Sequence, residues 1–263
     1  MEYGTPDLRV TVGDWLASSV ASVQIVTDRS APVGLATVDL DLEDLPTPRP
    51  AIGDAVVVDL GFRGGSLARA FSGRVRATEP SRLLQLTCHD RVRDLDDALV
   101  REALRNVDLH DVARRLFDLA GLANAHVLGL APTPRRHLFT ADRKGVLVLL
   151  ERARRSWGVD WDLYARADGK IVFAPWAETD EAKAEPVLDL VYGQNLLELT
   201  PRPEGTGTAL TLLAPWARAG HRVTLTDSRL WRRAVVARVE RCTHQVDPQG
   251  GGRTRLEWTL LAS

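Results

Sequence analysis

Two places in this chain put a soft nucleophile close to a base: Cys88-His89 and Cys242-Thr243-His244. A structural zinc site uses pairs of ligands at short, repeated spacing, and these two cysteines lie far apart with no second partner of that kind. On a strand, neighbours such as Cys88 and His89 point to opposite faces, which removes them as a catalytic pair. Two semi-buried thiols in a reducing compartment are the expected reading. His110-Asp111 invites acid–base chemistry, but adjacent helical residues point about 100° apart and do not meet. An acidic residue there suits a helix N-terminal turn. Asp94, Asp96 and Asp97 lack the ligand spacing and central glycine of a calcium loop. Ser72-Gly73 and Thr87-Cys88-His89-Asp90 cluster nucleophile and base types without a Gly-x-Ser-x-Gly elbow. Gly61-Phe62-Arg63-Gly64-Gly65 bridges two predicted strands and opens no helix, so neither nucleotide fingerprint applies. The residues therefore predict no catalytic, cofactor or metal site.

Seven tryptophans stand beside three tyrosines and five phenylalanines. Trp157, Trp161 and Trp176 fall around one predicted helix–hairpin unit. They could form a glycan-binding platform; core and subunit-interface packing is the commoner use. Arg152, Arg154 and Arg155 read as a solvated helix face or a contact to an acidic partner.

The elements that must position these groups change character along the chain. Residues 8–89 read as short strands with turn signals between them, a small sandwich or barrel. Leu35 to Leu40 alternates over one of the longer runs. From Asp90 the period becomes helical: a charged helix over 94–104, a helix after an Asp108 N-cap with Gly121 at its end, and a helix from an Asp142 N-cap to Trp157, closed by Gly158. Residues 123–135 read as a connection. A hairpin over 159–173 turns at Ala167-Asp168-Gly169, and 178–185 reads as an exposed loop. From Pro186 the chain returns to strands, the last two joined at Gln249-Gly250-Gly251-Gly252.

One pattern occurs twice. Gly53-Asp54-Ala55-Val56-Val57-Val58 leads to Phe71-Ser72-Gly73-Arg74-Val75, and Gly220-His221-Arg222-Val223-Thr224-Leu225 leads to Ala234-Val235-Val236-Ala237-Arg238-Val239. Each is a turn glycine, an alternating strand, a loop and a second strand ending in Arg-Val, which suggests a duplicated β-unit around an α+β insert. The predicted domains are 1–92, 93–185 and 186–263.

At 263 residues, 44% hydrophobic and 26% charged, the composition is that of a globular protein with room for more than one core. A net charge of −1 supplies no basic field for nucleic acid. The first residues lack a signal peptide's basic and apolar regions. No apolar run approaches the roughly 18 residues needed to span a bilayer. Folding in the cytoplasm and no membrane binding are the expectations.

Five segments, in order along the chain, resemble the baseplate hub proteins of contractile phage tails and related injection systems, the late control gene D family. They are Ala51 to Phe62 with its Gly53-Asp54 turn; Phe71-Ser72-Gly73-Arg74-Val75, similar to Phe-x-Gly-x-Val; Leu84 to Arg91, with Asp90 opening the middle domain; Leu147 to Pro175, with Gly158 between helix and hairpin; and Tyr192-Gly193-Gln194-Asn195-Leu196, similar to Tyr-Gly-x-Asn-Leu. Gly220-His221 departs from the family's Gly-Asp turn. The sequence ends after the second β-region, so a spike is expected to be a separate polypeptide.

The resemblance implies a mainly β fold: two tail-tube-like β-barrel domains flanking a helix-plus-hairpin middle domain. It implies a homotrimer whose six barrels form a pseudo-hexameric ring, joining the six-fold inner tube protein to the three-fold spike protein among baseplate wedge components. No enzyme activity, no cofactor and no stable nucleic-acid binding are implied. The candidate ring-forming strands are Leu35, Thr37, Val38 and Leu40, and Asn195, Leu197 and Leu199. The site of action is the baseplate of a virion tail or injection particle, after assembly in the bacterial cytoplasm. A tube initiator or distal-tail adaptor is the alternative within the same machinery, and a Trp-rich glycan-binding or glycan-hydrolysing β-protein the alternative outside it.

Overall fold

The computed structural model describes residues 4–122, 126–166, 168–247 and 251–261. Strand makes up 52% and helix 14%, and the principal sheet curls into a half-barrel, as expected of a tail-tube-like β fold. Two compact units are present: Met1–His89 with Ala184–Ser263, and Asp90–Lys183.

The first unit is built from strands at both ends of the chain. The N-terminal strands are β1 (Pro6–Val12), β2 (Trp15–Leu16), β3 (Val20–Asp28), β4 (Leu35–Asp41), β5 (Ala55–Phe62), β6 (Ala68–Pro80) and β7 (Leu83–Asp90). Alternation sets their faces: along β4, Ala36, Val38 and Leu40 are buried while Thr37 and Asp39 are half-exposed. Val10, Ile25, Val58, Leu60 and Leu86 join them in one core.

The second unit holds β8 (Leu99–Val107), α1 (Leu109–Leu119), β9 (His126–Leu128), β10 (Arg136–Gly145), α2 (Val146–Trp157), β11 (Trp161–Ala165), β12 (Ile171–Pro175) and a short α3 (Asp180–Lys183). Several expectations need correction here. The 94–104 segment is not a helix: a 3-10 turn covers Arg91–Asp96, and β8 then pairs antiparallel with β10. A partner strand distant in sequence, Arg136–Gly145, overrides local helix propensity. The same ribbon absorbs Asp142, so α2 starts later, with Gly145 as its N-cap. Part of the 123–135 connection is β9, which runs parallel to β12. Part of the 178–185 loop is α3. The Asp108 cap is as expected: its carboxylate accepts from Asp111 N–H at 2.9 Å, and Asp111 reciprocates. Gly158 ends α2 at φ +66°. Ala167, Gln249 and Gly250, where two predicted turns fall, lie outside the described residues.

The returning strands are β13 (Asp189–Val191), β14 (Leu196–Pro201), β15 (Thr206–Leu212), β16 (Arg222–Thr226), β17 (Val235–Asp247) and β18 (Gly251–Leu260). Around them a second core gathers Leu190, Leu225, Val239, Leu256 and Trp258. β17 pairs antiparallel with β3, so the strands of both chain ends form one 13-stranded sheet.

Candidate functional site: a duplicated sheet and its edges

The two ends of the chain repeat one another strand by strand. The first runs β3-β4-β7-β6-β5-β1 and the second β14-β15-β18-β17-β16-β13. The register repeats as well. β4 meets β7 from Leu35 opposite His89 to Asp41 opposite Leu83, and β15 meets β18 from Thr206 opposite Thr259 to Leu212 opposite Arg253. Ala55 opposite Arg74 and Val56 opposite Gly73 are matched by Arg222 opposite Arg238 and Val223 opposite Ala237. A bulge between Val20 and Ser22 recurs between Leu196 and Glu198.

The turn glycines explain why the pattern was visible in the sequence. Gly53 (φ +98°) and Gly220 (φ +89°) each open a strand in a conformation that favours glycine. Gly53 N–H donates to Val75 O at 2.9 Å and Val75 N–H to Asp54 O at 2.9 Å; Gly220 N–H donates to Val239 O at 2.7 Å and Val239 N–H to His221 O at 2.8 Å. The clasp uses backbone atoms only, so His221 replaces Asp54 without changing it.

The repeats differ at the outermost strand and in one hairpin, among other places. β1 is antiparallel to β5, whereas β13 is parallel to β16. The β17–β18 hairpin extends beyond its counterpart, which turns tightly from Pro80 to Leu83.

The other family-like residues hold backbone in place. Gly73 has no room for a side chain: a Cβ there would sit 2.1 Å from His89 O and 2.7 Å from the Phe71 ring. Gly73→Ala is therefore expected to destabilise the protein by about 2 kcal/mol through forced separation of β6 from β7. A urea midpoint equal to the parent's would show that the strands part freely. Phe71 and Val75 are buried. Asp90 caps the Arg91–Asp96 turn by accepting from Val92 N–H at 3.0 Å.

In Tyr192-Gly193-Gln194-Asn195, the buried Asn195 accepts from Val191 N–H at 2.8 Å and donates to Asp189 O at 2.7 Å. Gly193 turns at φ +79°. Tyr192 is exposed, with the Arg229 guanidinium 3.5 Å from its ring centroid. The buried Asp227 fixes Arg229 by two-point pairing, 2.7 Å at Oδ2 and 3.0 Å at Oδ1. Those hydrogen bonds hold its carboxyl below the usual range. Nothing in the sequence reading linked Asp227 and Arg229 to this motif.

The candidate ring strands divide. Leu35, Thr37, Val38 and Leu40 lie on β4, paired on one side by β3 and on the other by β7, so that strand offers no free backbone edge. Leu197 and Leu199 lie on β14, an edge strand whose only strand partner among the described residues is β15, apart from a bridge of Leu196 to Tyr192. The repeat assigns β3, not β4, as the counterpart of β14.

Several of the groups that suggested chemistry are engaged within the fold. Cys88 is buried in the first core, where burial pushes its thiol up to about 12. Cys242 is buried in the second, and burial raises its thiol too. No cluster of three or more potential metal ligands occurs among the described residues. His110 bonds to Gly129 O at 2.7 Å and packs edge-on to Trp161. Arg93 pairs with Asp96 at 2.7 Å. Trp157 and Trp161 are buried, Trp157 donating to Pro134 O at 2.7 Å, so neither offers an open platform to a sugar. No described helix is long and apolar enough to cross a membrane.

Comparison with known proteins agrees with this architecture. No protein-family model matches the sequence, and no curated protein matches it. Among solved structures, the chain is similar to a tail protein from Neisseria meningitidis MC58, with 15% identity and a TM-score of 0.72 over 98% of this chain and 97% of that one. It is also similar to the 43 kDa tail protein of prophage MuSo2 from Shewanella oneidensis, with 12% identity and a TM-score of 0.72 over 97% and 98%. A third is an Escherichia coli component of the type VI secretion system, described as structurally similar to the T4 bacteriophage tail proteins gp27 and gp5. It gives 9% identity and a TM-score of 0.72 over 97% of this chain and 77% of that one. The fold is thus one shared by phage tail proteins and a component of a type VI secretion system.

Proposed function

We propose that the protein is the structural baseplate hub of a contractile phage tail or injection system. In this reading three copies form a ring of six similar β-units joining a six-fold inner tube to a three-fold spike. The observation that carries it is the internal repeat: strand order, register, bulge and backbone clasp recur in one chain. Two similar units in each of three chains present six similar surfaces on one side while the chain itself repeats three times. A cyclic arrangement uses heterologous interfaces, which close when the rotation permits.

The work of such a hub is mechanical: it seeds tube polymerisation, holds the spike and surrounds a passage. The residues of this chain supply backbone clasps and buried polar ties, which suits that role. The end regions 1–92 and 186–263 act as the ring units, and wedge proteins, spike and tube are the partners. Native mass spectrometry of the purified chain is expected to show three copies, and co-expression with tube and spike proteins of its own particle to yield a complex of all three. A chain that stays single at high concentration and in that mixture would remove the reading.

A further inference from the structure

Among the described residues, one strand ladder joins the first repeat to the second: the outer edge of β3 lies against the latter half of β17. The ladder runs from Val23 opposite Val246 to Asp28 opposite Arg241, and ion pairs reinforce it, Arg29 with Glu240 at 2.7 Å and Arg241 with Asp28 at 3.8 Å. Each element of this junction has a counterpart elsewhere in the chain with that side open. β14 corresponds to β3, and among the described residues its outer edge carries no strand. β6 corresponds to β17, and its far end, past the last pair with β5 at Arg74 and the clasp at Val75, has no strand on that side among the described residues.

The repeat fixes how these two open edges correspond to the filled ones. The shared bulge aligns Ser22 with Glu198, and the shared clasp aligns Val75 with Val239. Counting residue for residue from these points, which gives β6 the extra residue that β17 carries between Val239 and Arg241, sets Thr200 opposite Ser81, Pro201 opposite Pro80 and Arg202 opposite Glu79, the counterparts of Gln24 with Gln245, Ile25 with His244 and Val26 with Thr243. All six transferred residues are exposed.

The backbone contributes little at this position. Arg202 donates its N–H to Thr206 O at 2.7 Å, inside the β14–β15 hairpin, so the main chain of Pro201 faces the outer edge. Proline has no N–H to give, and Pro80 opposite has none either. Such an edge resists indiscriminate strand addition. Specificity then falls to side chains, and the transferred register brings opposite charges together directly across the strands, Arg202 against Glu79.

Resting on the ring reading above, we propose that β14 of one copy docks on the far end of β6 of a second copy in the register of the internal β3–β17 junction, with Arg202 paired to Glu79 across the interface. The two junction types are then unequal: the one inside the chain is a hydrogen-bonded ladder, and the one between chains is proline-blunted and keyed by charge.

Glu79→Arg and Arg202→Glu, made separately and together, test this, since both sites are exposed and neither supports the core. Sedimentation equilibrium of the full chain should show each single reversal raising the dissociation constant at least about tenfold, because like charges then face one another at every junction. The double reversal should restore parent-like association. A parent that oligomerises while both single variants match it would overturn the docking register and leave the ring reading standing. A parent that never associates overturns both. As an independent readout, Thr200→Cys combined with Ser81→Cys should give chain-to-chain disulfides under mild oxidation, the native cysteines being buried. Absence of that product from an oligomeric parent background also overturns the register.

Discussion

Asn195→Ala is expected to lower the free energy of unfolding by about 3 kcal/mol, because it removes the partner that its amide gives to a backbone N–H and a carbonyl. The amide bridges Val191 N–H and Asp189 O, and thereby holds β13 against the start of β14. The backbone carbonyl of Asn195 also accepts from Leu212 N–H at 2.9 Å, the counterpart of Ser19 O accepting from Asp41 N–H at 3.3 Å in the first repeat. The main-chain bond is shared by both repeats, while the side-chain bridge belongs to the second, whose outermost strand is parallel and cannot be joined to its neighbour by a simple hairpin. Tyr192→Ala is the matched control: it removes an exposed ring that stacks on Arg229 and should cost under about 1 kcal/mol. Urea melts of both variants decide the matter. Equal small losses would show that water replaces the amide. Equal large losses would show that the Tyr192–Arg229 stack, not the amide, holds this turn.

The same motif shows what sequence could convey. Tyr-Gly-x-Asn was recognisable because a turn glycine and a buried amide are local needs met by residues close together in the chain. Gly53 and Gly220 were legible for the same reason, and so was the capping box from Asp108 to Asp111. The alternation in β4 gave its buried face directly. What the sequence hid depends on distant partners. The segment from Leu99 to Val107 has ordinary helix formers, and only the pairing with Arg136–Gly145 makes it a strand. The junction of β3 with β17 joins residues more than two hundred positions apart, and no local pattern announces it. It also bears on the candidate ring strands, since both sides of Leu35 to Leu40 are filled by β3 and β7 within the chain. The duplication was audible in two short strands, but its extent became plain only when the hydrogen-bonded registers could be laid side by side.

Mild acid is expected to destabilise the protein through His244, a buried residue that the sequence placed near Cys242 as a possible pair. Its surroundings fix its protonation. Ala217 O, 2.9 Å from Nε2, can only accept, so Nε2 carries the proton. Thr254 Oγ1 accepts from Ala214 N–H at 2.9 Å and, 2.9 Å from Nδ1, gives its own hydrogen to that nitrogen. Every polar group in the chain Ala214–Thr254–His244–Ala217 is satisfied with the imidazole neutral. A second ring proton would displace the threonine hydroxyl and place a charge in the second core. Burial accordingly pushes the imidazole pKa down to about 4, the Ala217 bond opposing and the Arg218 charge assisting. A folded value below the ordinary 6.5 means that the unfolded chain takes up a proton the native state refuses. Stability is therefore complete above about pH 6.5, falls between there and pH 4, and levels off below, with a total loss of about 3 kcal/mol. Ordinary carboxylates titrate near and below the bottom of that window, so the upper part reports mainly on imidazoles. His244→Gln can still donate to Ala217 O but cannot be protonated, and its midpoint should vary much less between pH 7 and pH 5 than the parent's. Parallel pH profiles for the two proteins would mean that a different group carries the acid sensitivity and that His244 is reached by water in the native state.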